Sequence, residues 1–290
     1  MKKFICTSDL HLRVSKPRCR PMDEDWMERQ KSVLEQIVNH ANKYNCPLYV
    51  LGDIFNTIND VDWALMNMAI GAFTSVKEGT FILVGNHDAK WKSLELLYQS
   101  PIGVLLQSVK HLREKENAYD FEEEKKSEKK SEWNKEQVEL FIHRLVFESK
   151  KEMPIDGLGD TAQSLLEEFP GIKTIYAGDT HKGFIYKDKK GRRVVVPGCP
   201  IRQTADLLNY TPHILSVEGG EITEIVINDG AIVNDYLIQQ AERESRVGVV
   251  IESLKNQSGF SLDFIENCHK ALLEGELEGD VKKYILGKIG

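Results

Sequence analysis

The chain is patterned as short apolar runs that each stop on a polar, chemically active residue. KKFICTSD, PLYVLGD, GTFILVGN, VELFIHRL and KTIYAGD are rich in β-branched and aromatic residues and have the length of strands. Each carries Asp, Asn or His at or near its end. Helical periodicity separates the first of these runs. Over residues 25–44, Trp26, Val33, Leu34, Ile37, Val38 and Ala41 fall on one face of a helix. Residues 60–75 open on an acidic cap and carry an apolar stripe of Trp63, Met66, Ile70 and Phe73, expected to face the core. Residues 92–99 and 160–169 predict shorter helices. The alternation of strand and helix predicts an α/β domain with ligands at the carboxyl ends of its strands.

Beyond these elements, residues 184–228 predict a β-meander with turns at KKGRR and EGGE. From residue 233 onward the pattern turns mainly helical, so the expected organisation is a domain over 1–229 and a mainly helical segment over 230–290. Between 113 and 137 the charges alternate and apolar residues are few, which predicts a solvated loop or hairpin tip; a flap near the substrate is the functional alternative.

Composition narrows the class. With 290 residues, 41% hydrophobic and 29% charged, the chain can bury a sizeable core. No apolar run is long enough to span a bilayer, and the basic-then-apolar start reads as a first strand rather than a signal peptide. No membrane role is expected. The five cysteines, at 6, 19, 46, 199 and 268, form no CxxC pair, which argues against a disulfide framework or a thiolate zinc site and for a reducing cytoplasm. Cys6 and Cys46 are expected to be small core residues. The net charge of −7 argues against nonspecific coating of nucleic acid, but not against an enzyme whose acidic centre is neutralised by metal ions.

The run-ending residues form a set. They are Asp9 and His11, Asp53, Asn86-His87-Asp88, His143, and Asp179 with His181. A lone histidine on an apolar run is usually a satisfied core residue, but one sheet edge would gather all of these. Carboxylate, imidazole and amide without thiolate suit two divalent cations that activate water for attack on phosphorus. Mn²⁺ is the ion expected, with Mg²⁺, Fe²⁺ or Zn²⁺ as alternatives.

The order D-x-H, G-D, G-N-H-D, H and G-x-x-H resembles that of the calcineurin-like metallophosphoesterases over roughly residues 1–225. GDIFN, VGNHD and VPGCPIRQ further resemble SbcD-type DNA-repair nucleases, especially their bacteriophage relatives. The resemblance implies a four-layer αββα sandwich with a small, mainly helical C-terminal appendage. It implies that Asp9, His11 and His181 hold one metal, that Asp53 bridges, and that Asn86, His143 and Asp179 hold the second. His87 would stabilise the transition state and protonate the leaving oxygen, with Asp88 orienting it. Two positions depart from the family pattern. Asp179 stands where a histidine is usual and is expected to bind metal as a carboxylate. Asn56 stands where many relatives carry a histidine, and it can hydrogen-bond phosphate but not carry a proton.

Arg13, Lys16, Arg18 and Arg20 follow the first motif and are expected to contact DNA phosphates, as is Arg202 in PGCPIRQ. Lys187, Lys189, Lys190, Arg192 and Arg193 are expected to decorate a turn, and His40, His111, His213 and His269 to be structural or superficial. The resemblance also implies an SbcC-like ATPase partner docking on the C-terminal helices, homodimerisation through residues 60–75, and the cytoplasm as location (that of the host if phage-encoded). The expected activity is metal-dependent DNA cleavage in repair, recombination or replication. A small-molecule phosphodiesterase or phosphatase is the first alternative, and a catalytically weak DNA- or ATPase-binding scaffold the second.

Overall fold

The structure, a computed structural model, describes residues 3–89, 94–109, 112–114, 139–153 and 158–233. The elements run β1 (Lys3–Thr7), α1 (Trp26–Lys43), β2 (Leu48–Leu51), α2 (Trp63–Thr74), β3 (Thr80–Leu83), α3 (Pro101–Ser108), β4 (Leu112–Glu114), β5 (Glu139–His143), β6 (Val146–Phe147), β7 (Asp160–Thr161), α4 (Ala162–Glu168), β8 (Thr174–Gly178), β9 (Phe184–Lys187), β10 (Arg193–Val196), β11 (His213–Glu218) and β12 (Glu221–Val226). The chain divides into compact units 1–234 and 235–290. The second unit lies outside the described residues, as do the expected helical tail and nearly all of the 113–137 segment.

The apolar runs form strands because both faces of each can be buried. In β1, Phe4 and Cys6 point one way and Ile5 the other; in β2, Tyr49 and Leu51 oppose Leu48 and Val50. Ile5, Leu48, Val50 and Ile82 meet the apolar faces of α1 and α2 and residues of α3. Phe4, Cys6, Tyr49, Leu51, Leu83, Leu215 and Val217 meet Phe141, Tyr176 and Val195 of the other sheet. The opposite faces of β5, β8 and β10 pack on Ala162, Leu165 and Leu166 of α4. The result is helices, sheet, sheet, helix, the four-layer αββα sandwich. Its sheets are ordered β12-β11-β1-β2-β3-β4 and β5-β8-β10-β9, with a small β6-β7 pair beside them.

Capping starts the helices where the sequence signals it. Asp25 accepts from the Glu28 N–H and Asp62 from the Leu65 N–H. Thr161 and Ser164 form a reciprocal capping box on α4. β1–β2, β2–β3, β5–β8 and β8–β10 are parallel. Loops carrying the chemistry therefore leave β1, β2, β3, β5 and β8 at their carboxyl ends.

Several expectations need correction. The 184–228 segment is not one meander: β9 and β10 join the four-stranded sheet, and β11 and β12 the six-stranded one. The loop between β10 and β11 crosses from one sheet to the other, because β10 pairs in parallel with β8 whereas β11 pairs with β1. Trp63 is not core. It occupies the first turn of α2 and is 78% exposed, while Leu65, Met66, Ala69 and Phe73 make the buried face. The predicted 92–99 helix is a 3₁₀ segment at Leu94–Gln99, and α3, started by Pro101, follows it. Cys6, Cys19, Cys46 and Cys199 are buried. Among the described residues no helix is long and apolar enough to cross a membrane.

The joint between the sheets is aromatic. Phe141 stacks on Tyr176 at 4.9 Å, and Phe4 meets both edge-on at 5.9 and 5.5 Å. Phe4→Ala is expected to cost about 3–5 kcal/mol of stability, read from urea unfolding. A midpoint equal to the parent's would show that the sheets do not depend on this ring.

Candidate metal centre

The strand ends bend in an unusual way. The described non-glycine residues with left-handed backbone are Asp9 (φ 54°), His11 (45°), Asn45 (47°), Asp53 (52°) and Asp179 (78°). All but Asn45 belong to the set singled out above. Asp, Asn and His tolerate this region better than most residues, yet it still stores strain that surrounding packing must hold. Glycines let the strand ends close up. At Gly52 (φ 91°) a Cβ would lie 2.3 Å from Nδ1 of His143, and at Gly178 one would lie 2.0 Å from the Leu51 carbonyl oxygen.

Two overlapping clusters result: Asp9, His11 and His181, and Asp9, Asp53, His143 and Asp179, each with its ligand atoms within 4.8 Å of one another. Nε2 of His11 and Nε2 of His181 face each other at 3.0 Å. Nδ1–H of His143 donates to the Leu51 carbonyl at 2.7 Å, leaving Nε2 to face Asn86 Oδ1 at 3.3 Å, Asp53 Oδ2 at 3.4 Å and Asp179 Oδ1 at 3.9 Å. One oxygen of Asp53 accepts from the His87 backbone N–H at 2.9 Å. The other lies between the two clusters, 3.8 Å from His11 Nε2 and 3.4 Å from His143 Nε2, buried and without a hydrogen bond. Asp9 faces both clusters and accepts from the Asp179 N–H at 3.1 Å.

Thr180, which carries no ligand chemistry of its own, braces this floor. Its hydroxyl donates to the Val146 carbonyl at 2.7 Å and accepts from the Val146 N–H at 3.0 Å. This pins the Asp179–His181 turn to the segment after His143. Its only sequence signal is its place between two ligands.

His87 stands at the rim. Its Nδ1–H donates to the Asn56 backbone carbonyl at 2.6 Å, so Nε2 is the nitrogen left for chemistry. The expected orienting role of Asp88 is therefore corrected. The buried Asp88 carboxylate accepts from the backbone N–H groups of Phe55 and Gly85 at 2.9 and 3.0 Å. It braces both the loop that presents Asn56 and the Gly85–Asp88 turn that carries His87, and so acts on His87 through the backbone.

The arginines divide. Arg13 pairs with Asp60 at 3.2 Å and lines the cleft with His11, Asn56, His87 and His181. Arg18 is exposed, and Lys16 donates to the Asp23 carbonyl at 3.0 Å. Arg20 and Arg202, expected on DNA, are committed internally. Arg20 is wholly buried against the Asp229 carboxylate, and Arg202 grips the same carboxylate through Nε and Nη2 at 3.0 and 2.7 Å. A partner so distant in sequence leaves no local signal. Of the histidines set aside, His213 is buried and bonded to the Thr211 carbonyl, and His111 and His269 lie outside the described residues.

Residues 2–183 match the family model of calcineurin-like phosphoesterases. The chain belongs to that family. It is accordingly a metal-dependent phosphoester hydrolase. Among solved structures, a dimetal phosphatase from Danio rerio is similar over 80% of this chain and 98% of its own, with 12% identity and a TM-score of 0.53. A 5'-nucleotidase precursor from Thermus thermophilus is similar over 88% of this chain and 60% of its own, at 12% identity and a TM-score of 0.40. No curated protein matches the sequence.

The donor set of this phosphoesterase fits two divalent cations. Oδ2 of Asp53 is buried without a hydrogen bond, and Nε2 of His11 and Nε2 of His181 converge to 3.0 Å of each other, as ligands of one ion would. Asp9, His11 and His181 would hold one ion and Asn86, His143 and Asp179 the other, with Asp53 between them. Bound there, the cations would neutralise charge on phosphoryl oxygens and lower the pKa of an attacking water. His87, once protonated, can donate from Nε2 to the leaving oxygen.

Electrostatics agree with a centre that competes for cations. Burial pushes Asp9 up to about 7, with the Asp53 and Asp179 charges adding to it and His143 opposing. Burial also lowers His11 to about 3, and lowers His181. For His143 burial acts downward, but Asp53, Asp9 and Asp179 outweigh it and hold the ring well above 6.5. Asp53 is held below the usual range because His143 and His11 outweigh its burial. Metal ligation needs Asp9 and His143 deprotonated, and both hold protons more tightly than usual, so affinity rises with pH. Asp9 alone, at about 7, makes Mn²⁺ bind about tenfold more weakly near pH 6 than near pH 8, and the proton held by His143 adds to that loss. Titration calorimetry at the two pH values checks this; equal affinities would refute it.

Proposed function

We propose that this calcineurin-like phosphoesterase cleaves phosphodiester bonds of DNA, as SbcD-type nucleases do, in repair, recombination or replication, with Mn²⁺ as the working ion. The shape of the cleft carries the reading. The cleft over the clusters has a volume of only ≈ 130 Å³ and is lined by His11, Arg13, Asn56, His87, His181 and the 199–207 loop. Enclosing small-molecule sites run from about 300 to 1,000 Å³. A cleft this small takes a phosphoryl group and leaves the body of its substrate outside, which suits a polymer. Arg13 and the exposed Arg18 would meet the flanking phosphates, and Asn56 the scissile one.

The reading extends to partners. The exposed Trp63, with the half-buried Met68 and Ile70, supports self-association through residues 60–75. An SbcC-like ATPase would dock on the C-terminal segment, and the protein would work in the cytoplasm, that of a host if it is phage-encoded.

A second reading has its own observation. With Arg20 held between Asp229 and Asp23, and Arg202 held by Asp229, the described rim offers DNA fewer cations than the sequence promised. A small phosphoester would need fewer, and the similar Danio rerio protein is a phosphatase.

Purified protein with Mn²⁺, end-labelled linear DNA and, in parallel, bis-p-nitrophenyl phosphate separates the two readings. DNA degradation that vanishes in Asp53→Asn is the expected result. Hydrolysis of the small ester alone would move the assignment to a small substrate, and neither activity would favour the scaffold. His87→Ala is expected to lose about 10²–10⁴-fold in rate while still binding two Mn²⁺ per chain by calorimetry. Loss of metal in that variant would overturn its role as a proton donor. Asp179→His is expected to keep or raise activity, and a metal-free, inactive variant would show that the carboxylate is required.

A further inference from the structure

We infer that Asp229 is a positioning residue for the first metal site, acting through Arg20, Arg202 and Gln203 on the backbone of His11; the inference rests on the two-metal reading.

The argument starts from a buried carboxylate with two arginines. Asp229 is 1% exposed. Its Oδ2 accepts from Nη2 of Arg20, and also from the backbone N–H and Nε of Arg202 at 2.8 and 3.0 Å. Its Oδ1 accepts from Nη2 of Arg202 at 2.7 Å. Arg20 closes the ring by donating from Nε to the Arg202 carbonyl at 2.7 Å. Both backbone polar groups of residue 202 are thus held, one by Asp229 and one by Arg20. Burying a charge is costly unless it is paired and bonded, and this set is both once the buried Asp23 carboxylate, 3.6 Å from Nη1 of Arg20, is counted with Asp229.

Gln203 comes next in the chain. Its amide donates to the carbonyls of Leu10 at 3.1 Å and His11 at 3.0 Å. Those carbonyls belong to the turn in which His11 takes its left-handed backbone and aims Nε2 at His181. Two N–H donors' worth of attachment at this turn opposes its relaxation. Outer partners that orient a ligand govern metal affinity nearly as much as the ligand does. The chain of contacts runs from Asp229 to residue 202, to the Gln203 amide, to the His11 turn, and it reaches neither Asn86 nor His143.

Asp229 belongs to the segment after β12 that also supplies the carbonyls of Gly230 and Ala231 to Arg202 and Arg20. The segment leads, in chain order, into the second compact unit. The metal site formed after β1 therefore depends on the chain's exit from the first unit.

The test is calorimetric titration of the full chain with Mn²⁺, beside thermal unfolding. Gln203→Met keeps the length of the side chain and removes its donors without adding charge. It is expected to unfold near the parent temperature, with one of two resolved sites weakened about 10–100-fold and the other unchanged. Asp229→Asn is expected to give the same selective loss. Should it not fold, Arg202→Lys, which keeps the charge but not the fork to Asp229, carries that expectation. Unchanged affinities in these variants, or equal weakening of both sites, would overturn the inference and leave the metal centre standing. A parent chain without saturable Mn²⁺ binding would overturn the two-metal reading and this inference together.

Discussion

Three carboxylates, Asp9, Asp53 and Asp179, converge at the ends of β1, β2 and β8, and their mutual repulsion is the constraint around which the structure is built. At an effective dielectric of 20, a like-charged pair about 4 Å apart costs about 4 kcal/mol. The partners given to these groups are imidazoles and backbone N–H groups rather than lysine or arginine. Such a floor holds together only if the scaffold is stiff and the charge is compensated. The aromatic joint between the sheets supplies the stiffness, and divalent cations, which the donor set is suited to hold, would supply the compensating charge.

The same constraint explains why the strand ends are strained. Left-handed backbone at Asp9, His11, Asp53 and Asp179 turns each side chain inward at the first position past its strand or close to it. Packing over-determines these turns. Gly52 and Gly178 admit His143 and the Leu51 carbonyl, Thr180 pins its turn to Val146, and Asp88 braces the loop before Asn56. Asp179 fits this scheme as a third acid where an imidazole would add no charge. It raises the demand for cations, and its proximity contributes to the elevation of Asp9.

The strands of the α/β domain were legible because burial on both faces writes itself as continuous apolar runs with the candidate chemistry directly at their ends, while the four-layer arrangement came from the family resemblance. Asp9, His11, Asp53, His143, Asp179 and His181, which the structure gathers into two clusters, stood out at those ends, whereas their division between two ions came from the family resemblance. What could not be read were pairings across long chain separation. Arg20 and Arg202 look like a basic loop until Asp229 is placed between them. Asp88 looks like the partner of His87 until the Asn56 carbonyl is found at that nitrogen. The two hairpins of 184–228 look continuous until parallel pairing with β8 claims the first and antiparallel pairing with β1 claims the second.

Local pattern was enough to mark the strands and the Asp, Asn and His residues at their ends, because strand periodicity and ligand type are local properties of residues. Tertiary structure alone decided which charges face solvent, which nitrogen of each histidine is free, and which loops carry strain. Those depend on the dielectric and the hydrogen-bond partners that distant segments bring to a side chain, and no local pattern records them.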